Sequence, residues 1–234
     1  MSKKKKKNSN YYYGTDRERK PHAAVKTAPG KKTVIYIVSA AVLLLAVVIG
    51  IVACAVNSYV GIRYAKITVK DHGTIILKLD GTVAPITVKN FITLANSGFY
   101  DGLTFHRIME NFMIQGGDPD GTGGGGSDTK IKGEFSANGI TNNISHERGV
   151  ISMARSDPYD SASSQFFICN ADSPHLDGNY AAFGYVISGI EVVDSITQYG
   201  VKYTYDGVIY DKTKQPVIEQ IVEISEEEAL SYTK

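Results

Sequence analysis

Residues 105–118 read FHRIMENFMIQGGD, a stretch that places one arginine and one glutamine among aromatic and apolar side chains. Each part of it has an ordinary explanation. An arginine beside aromatic residues is most often a surface side chain whose stem covers apolar neighbours. A pair such as Phe112-Met113 is most often part of a core. The stretch is therefore informative only together with what accompanies it along the chain.

Four further blocks of similar character follow it in a fixed order. They are Ser152-Met153-Ala154, Ser164-Gln165-Phe166-Phe167-Ile168, Leu176-Asp177-Gly178 and Phe183-Gly184. Short apolar runs between turn residues are typical of short buried strands. A sequence that matches all five blocks of a known family, in the same order and spacing, does not do so by chance.

Together these blocks closely resemble the signature of the cyclophilins, and the resemblance covers roughly Tyr64 to Ile224. It implies a mainly β fold, namely a closed eight-stranded antiparallel β-barrel capped by two helices. It also implies peptidyl-prolyl cis-trans isomerase activity on proline-containing polypeptide clients, by a monomer. This chemistry needs neither a cofactor nor a metal.

The resemblance also assigns roles to individual residues. Arg107 matches the catalytic arginine, and Gln115 matches the polar residue that supports both the arginine and the substrate carbonyl. The pocket for the proline ring is matched by Phe112, Met113, Phe167 and Leu176. The peptide groove is matched by Ala154, Arg155 and Gln165.

Three positions depart from the common family pattern. His175 stands where many members have tryptophan, a position that contributes mainly to binding cyclosporin, so weak inhibition is expected. Tyr180 stands where many have histidine and keeps an aromatic wall on the proline pocket. Arg155 stands where asparagine is common, and we expect it to alter substrate preference more than rate.

Hydrophobic periodicity gives an independent prediction of the secondary structure. Alternation on either side of Asp71-His72-Gly73 predicts a β-hairpin. A helix is predicted from Pro85, a residue tolerated in a first helical turn, to Gly98. Its apolar stripe consists of Val88, Phe91, Ile92 and Ala95. A second helix is predicted over 190–198 and a last strand over 217–224, followed by a polar tail, 225–234.

The amino-terminal part differs in charge from the rest. Residues 1–32 carry eleven lysines and arginines against Asp16 and Glu18, a net charge of +9, which leaves −8 for the remainder of a chain whose total is +1. A basic segment ahead of an acidic body indicates two separate parts. We interpret residues 1–33 as a disordered cytoplasmic tail that acts as a topology signal and does not bind nucleic acid.

Residues 34–56 read VIYIVSAAVLLLAVVIGIVACAV and carry no charge. As a helix they would extend about 35 Å, enough to cross a hydrocarbon core of about 30 Å. Because positive charge precedes them, the expected product is a single-pass protein of the cell membrane, N-terminus cytoplasmic and isomerase domain extracytoplasmic. A bacterial host is favoured, and a eukaryotic secretory compartment is the alternative. Residues 57–63 would be a linker. Alternatives are a cleaved signal peptide or a lipoprotein anchored at Cys54.

Other function classes have weaker support. Residues 121–126, GTGGGG, satisfy a dinucleotide-binding pattern, but neither flank predicts the required strand and helix, so a flexible loop is expected. No nucleophile elbow or metal-ligand spacing is present. The main alternative is a non-catalytic proline-peptide binding or chaperone module on the same barrel. Tyr180 leaves room for it, whereas the intact Arg107 argues against it.

Overall fold

A computed structural model of the chain describes residues 60–233, together with 36, 40, 42–45 and 47, which are helical. Contacts divide the chain into two units, residues 1–50 and 51–234. The predicted tail 1–33, most of the predicted span 34–56, Cys54 and residues 57–59 of the linker lie outside the described residues. Within the described part, we find no helix with both the length and the apolar character that spanning a membrane requires.

Residues 60–233 contain eight strands and three α-helices. In chain order they are β1 (Ile62–Val69), β2 (Gly73–Asp80), α1 (Pro85–Asn96), β3 (Thr104–Met109), β4 (Met113–Asp118), β5 (Val150–Met153), β6 (Phe166–Cys169), β7 (Ala182–Ser188), α2 (Ile190–Gly200), β8 (Ile218–Ile224) and α3 (Glu226–Ser231). Short 3₁₀ turns occupy Ser136–Asn138, Pro174–Leu176 and Lys212–Lys214. The mainly β class is confirmed.

The predicted hairpin is formed by β1 and β2, which pair antiparallel with Ile67 opposite Ile75. Its turn requires left-handed backbone at Asp71, with φ of 62°, and at Gly73, with φ of 123°. Glycine adopts this conformation without steric cost, and aspartate is among the few other residues that tolerate it. The turn residues therefore determine where the strands reverse.

Helix α1 begins at Pro85 as predicted and buries the predicted stripe, together with Thr87. Its first turn is held by the carboxylate of Glu134, which is itself buried. This carboxylate accepts hydrogen bonds from the backbone N–H of Ile86 (3.0 Å) and Thr87 (2.8 Å) and from the Thr87 hydroxyl (2.7 Å). A negative charge there satisfies free N–H groups and complements the helix dipole.

The strands form one sheet in the order β3-β4-β6-β5-β7-β2-β1-β8. The prediction of a closed barrel is wrong, because the sheet is an open half-barrel with β3 and β8 at its edges. One isolated bridge, Thr104 with Val217, and a few backbone hydrogen bonds join these edges. Pro216 lacks the N–H that a continuous ladder would need, and the register of β3 shifts on both sides of Phe105.

Aromatic side chains fill the concave side of the sheet. Phe91 of α1 lies between Tyr100, Phe166 and Phe183, with ring centroids 5.3 to 5.4 Å apart. All four residues are fully buried. Helix α1 packs on β8 and β2, and α2 packs on β2, β3 and β4. The core thus gives β3, β4 and β6 a rigid support on one side, which leaves their other side free to form a site.

The predicted polar tail contains helix α3. The Ser225 hydroxyl caps it by accepting from the N–H of Glu228 at 3.1 Å. The helix is fixed to β1 by a hydrogen bond from Tyr64 to Glu226 and an ion pair between Lys66 and Glu228, both 2.8 Å. Because these partners come from opposite ends of the unit, local sequence patterns do not reveal them.

Candidate active site

A row of side chains crosses the convex face of the sheet. Arg107 on β3 lies opposite Gln115 on β4, which lies opposite Phe167 on β6. Side chains alternate between the two faces of a strand, so the neighbouring Ile108 and Ile114 point into the core, where both are fully buried. Alternation therefore places the arginine, the glutamine and the phenylalanine together on the outer face.

This row borders a cavity of about 140 Å³. The cavity is lined by nine of the eleven predicted site residues: Arg107, Phe112, Met113, Gln115, Ala154, Arg155, Phe167, Leu176 and Tyr180. Met113, Phe167 and Leu176 are almost fully buried and form a small apolar cluster separate from the main core. The structure thus provides an apolar pocket beside a cation, although the role of each residue remains a prediction.

The tight turn between β3 and β4 positions Phe112. Asn111 has a φ of 58°, a left-handed conformation that asparagine tolerates better than most residues. Asn170, which directly follows β6, fixes this turn. Its side-chain amide donates to the carbonyl of Met109, and its backbone N–H donates to the carbonyl of Phe112, both at 3.0 Å. The ring at the pocket mouth therefore rests on a fixed backbone.

The guanidinium of Arg107 is half-buried and has unusual partners. Nη1 lies 3.4 Å from Oε1 of Gln115, and Nη2 lies 2.9 Å from Sδ of Met109. The guanidinium carbon lies 5.9 Å from the centre of the Phe112 ring. Among residues 60–233, no carboxylate pairs with this arginine. Its charge is therefore not neutralised by a partner and is available to a ligand in the cavity.

A chain of side-chain amides holds Gln115, the neighbour of Arg107, in place. Nε2 of Gln115 donates to Oε1 of Gln165 (2.8 Å), and Nε2 of Gln165 donates to the carbonyls of Gly123 (3.0 Å) and Gly125 (2.7 Å). Carbonyls only accept, so they require the NH₂ group of Gln165 to face them. This fixes the orientation of both amides and leaves the oxygen of Gln115 facing Arg107. Gln165 itself lines an adjoining cavity of about 260 Å³ that also contains Lys130.

The glycine-rich loop is anchored rather than free. The buried Asp118 carboxylate accepts backbone N–H bonds from Asp120 (2.8 Å), Thr122 (2.9 Å) and Gly123 (2.6 Å). Burial acts to raise the pKa of Asp118, but these bonds, with one from Gly125, outweigh it and hold the pKa below its ordinary value. The expectation of a flexible loop is thus corrected, because an ionised side chain ties the loop to the end of β4.

Arg155 lies in a cage of three aromatic rings. Its guanidinium carbon is 4.8 Å from the ring centre of Tyr180, 5.1 Å from that of Tyr159 and 5.2 Å from that of Phe135. Its Nε donates to the carbonyl of Asn179 at 3.0 Å. Stacking on the rings and donation to a carbonyl hold the side chain as a buttress behind Tyr180. Tyr180 in turn meets Phe167 edge-on, with ring centroids 5.9 Å apart.

His175 lies outside the cavity. Its exposed ring is tilted against Phe112 with a centroid distance of 5.3 Å. The structure therefore places it at the rim, next to the pocket mouth, where it can contact only the outer part of a ligand. Gln165 is the other predicted site residue that does not line this cavity, and it lines the adjoining one.

Sequence reasoning missed a buried histidine behind the pocket. Nδ1 of His146 lies 2.8 Å from Oδ1 of Asp177, and Nε2 lies 3.0 Å from the hydroxyl of Ser152. These atoms resemble a hydrolase triad, but Ser152 is fully buried and cannot reach a substrate. Burial lowers the pKa of His146 and outweighs the opposing effect of Asp177. The ring stacks on Phe167, with planes 17° apart, so the histidine supports the pocket wall.

The part of the chain that the structure describes contains no group of three histidine, cysteine or carboxylate side chains that could hold a metal ion.

Comparison with known proteins gives concordant results. Residues 64–224 match the family model described as cyclophilin type peptidyl-prolyl cis-trans isomerase. A peptidyl-prolyl cis-trans isomerase of Helicobacter pylori is 47% identical over 139 residues, 58% of this chain and 82% of the relative. Peptidyl-prolyl cis-trans isomerase B of Bacillus subtilis is 46% identical over 128 residues, 55% of this chain and 86% of the relative.

The fold is also similar to that of a solved structure from Cryptosporidium parvum. That protein is a cyclophilin type peptidyl-prolyl cis-trans isomerase, determined in the presence of the dipeptide Ala-Pro. The TM-score is 0.62 at 30% identity, and the match covers 70% of this chain and 99% of the other. The family match spans the strands that carry the arginine, the amide chain and the apolar pocket, and this chain belongs to the cyclophilin-type peptidyl-prolyl cis-trans isomerases.

Proposed function

We propose that this protein catalyses rotation about X–Pro bonds in extracytoplasmic polypeptide clients and thereby assists their folding. Arg107 is the catalytic donor, and Gln115 holds it and binds the substrate carbonyl. The protein acts as a monomer anchored to the membrane through residues 34–56. One observation carries the catalytic part of this proposal, namely an arginine that has no carboxylate partner among residues 60–233 and lies at the edge of an apolar pocket.

The chemistry of the bond explains why this arrangement is suitable. The peptide bond has partial double-bond character and rotates over a barrier of about 18–20 kcal/mol. In the twisted transition state, amide resonance is lost and the prolyl nitrogen gains a lone pair. A donor directed at that nitrogen stabilises the twisted state more than the planar one, which is the requirement for catalysis. Arginine is suitable because it stays charged and holds its donors in a rigid plane.

The pocket supplies binding energy, whereas the arginine stabilises the transition state more than the ground state. Burying a group of the size of a proline ring contributes about 1.5–3 kcal/mol. This gain is equal for both states and does not change the barrier. An acceleration of about 10⁵-fold needs about 7 kcal/mol. Positioned charge and exclusion of water in the cavity must therefore provide most of it, and the amide chain behind Gln115 keeps that charge in place.

Arg107→Ala tests the assignment. Removing one positioned donor from a site of this kind costs on the order of 10²-fold to 10³-fold in rate. We therefore expect kcat/KM on a proline peptide to fall by at least 100-fold, with the thermal unfolding midpoint little changed. Arg63→Ala is the matched control, because Arg63 is an exposed arginine on β1 paired with Glu223, and its loss should leave activity unchanged.

Two results would contradict the proposal. An Arg107→Ala variant with wild-type turnover would remove the arginine from the mechanism. A wild-type chain that binds proline peptides without accelerating their isomerisation would instead support the non-catalytic binding module.

The membrane part of the proposal rests on the uncharged run 34–56 and the basic residues before it. It is tested by protease digestion of intact cells that produce the full chain. We expect cleavage within the isomerase domain and protection of residues 1–32. The reverse pattern would contradict the orientation, and release of the whole protein by cell breakage without detergent would contradict the anchor.

A further inference from the structure

A thioether contacts the guanidinium of Arg107. Sδ of Met109 lies 2.9 Å from Nη2, closer than the glutamine oxygen on the other side. A loop closes over this methionine, because a Cβ placed on Gly207 would lie 2.6 Å from Cγ of Met109. The same loop is fixed to β3 by a hydrogen bond from the Ile108 N–H to the carbonyl of Gly207 at 2.7 Å. Met109 is thus confined between the loop backbone and the arginine.

Met109 is also the most accessible methionine among residues 60–233. Met113 and Met153 are each only 1% exposed, whereas Met109 is partly exposed. Oxidation of a side chain depends on how readily an oxidant reaches it. A dissolved oxidant therefore meets the sulfur of Met109 before it meets the sulfur of Met113, which lines the pocket and lies 3.9 Å from Nη1 of Arg107.

We propose that Met109 is a modification site, and that its oxidation by a peroxide lowers the isomerase activity. The proposal rests on the function proposed above, since it acts through Arg107. A lone pair of the thioether sulfur attacks one peroxide oxygen, an S–O bond forms and the O–O bond breaks. The second oxygen leaves with the protons as water. The sulfur loses two electrons and the peroxide gains them, so no further reactant is needed.

The sulfoxide changes what Arg107 meets. A thioether is a weak, uncharged acceptor, whereas the sulfoxide oxygen carries partial negative charge and forms a stronger, charge-assisted hydrogen bond with a guanidinium. A separation of 2.9 Å between sulfur and nitrogen leaves no room for an oxygen between them. Addition of oxygen to the lone pair that faces Nη2 therefore displaces the guanidinium. A displacement of about 1 Å in a catalytic group can cost about 100-fold in rate.

The experiment treats the full chain with hydrogen peroxide and follows two quantities over time. Peptide mass mapping gives the fraction of Met109 that carries one added oxygen, and a proline-peptide assay gives kcat/KM. We expect kcat/KM to fall in step with Met109 oxidation, by about 100-fold when Met109 is fully oxidised, without a change in thermal unfolding. Methionine sulfoxide reductases should restore the activity.

Two variants separate this site from other effects of peroxide, each compared with its own untreated sample. Met109→Leu should lose no activity on treatment, whatever its starting activity. Met153→Leu, which replaces a methionine of the main core, should remain as sensitive as the wild type. If Met109→Leu does not fold, the wild-type time course and the reductase treatment decide the question without it.

The inference is overturned if complete oxidation of Met109 leaves kcat/KM unchanged, if activity falls before Met109 is modified, or if Met109→Leu loses activity as the wild type does. An untreated chain without isomerase activity would refute the proposed function itself. An untreated chain that is active but insensitive to Met109 oxidation would refute only this inference.

Discussion

Gln165→Leu should reduce catalysis although Gln165 does not touch Arg107. The amide of Gln165 joins the glycine-rich loop to Gln115, and Gln115 faces the guanidinium. Leucine has a similar size but neither donates nor accepts. The substitution therefore leaves the packing nearly intact and removes only the hydrogen bonds that fix the amide of Gln115.

The size of the effect follows from the bonds that are lost. The side chain of Gln165 makes three hydrogen bonds, of 2.7, 2.8 and 3.0 Å. Each contributes about 0.5–1.5 kcal/mol net. The two glycine carbonyls lie beside an open cavity and can be rehydrated, so we expect a stability loss of about 1–2 kcal/mol. Loss of one positioning bond to Gln115, about 1 kcal/mol, corresponds to roughly a fivefold to tenfold fall in kcat/KM.

The assay is proline-peptide isomerisation together with urea unfolding. Gln215→Leu is the matched control, because Gln215 donates to the carbonyls of Gly121 (2.8 Å) and Ile209 (2.7 Å). It ties down the other side of the same loop without touching Gln115. We expect it to cost at least as much stability as Gln165→Leu and much less activity.

Either of two outcomes would refute this reasoning. Gln165→Leu could retain kcat/KM within twofold of the wild type, which would mean that the amide chain does not position the arginine. Alternatively, both variants could lose the same activity, which would mean that the loop as a whole matters rather than its link to Gln115.

Two further predictions concern stability. Burial lowers the pKa of both His106 and His146, so below about pH 6.5 the unfolded chain binds more protons than the folded one, and stability falls as pH falls, by up to about 1.4 kcal/mol per pH unit for each histidine. Urea unfolding between pH 7.5 and 5.5 should show this slope, smaller in His106→Leu, and a flat profile would contradict it. Glu134→Gln should cost about 2 kcal/mol, because it replaces the charged acceptor at the start of α1; a change below about 0.5 kcal/mol in the same assay would show that the charge is not needed.

Local patterns were enough to predict the elements that depend on near neighbours. The β1–β2 hairpin follows from alternation around a turn whose residues tolerate positive φ, and α1 follows from an apolar stripe that begins at Pro85. The pocket could be predicted only because its residues resemble a known family. Their spacing along the chain does not indicate that Phe167 stands beside Gln115, since that contact depends on strand pairing.

The features that sequence reasoning missed involve contacts between distant residues. The Asp118 carboxylate fixes the glycine-rich loop. The sequence predicted a flexible loop, because a run of glycines does not indicate which side chain will bind its N–H groups. The sheet edges pair only in part, and Pro216, which has no N–H to donate, lies two residues before β8. Met109 was not among the predicted site residues, because a methionine in a strand is ordinarily a packing residue. Its position against Arg107 depends on the loop that closes over it.

The place of β8 also affects how the protein is made. β1 lies near the start of the domain but pairs along one edge with β8, so that Arg63 and Glu223, 160 residues apart, form an ion pair. During synthesis, that edge of β1 has no partner until nearly the whole domain has left the ribosome. An unpaired edge can join another chain, and pairing over such a distance is slow. This peptidyl-prolyl isomerase thus has a late, long-range pairing step in its own folding.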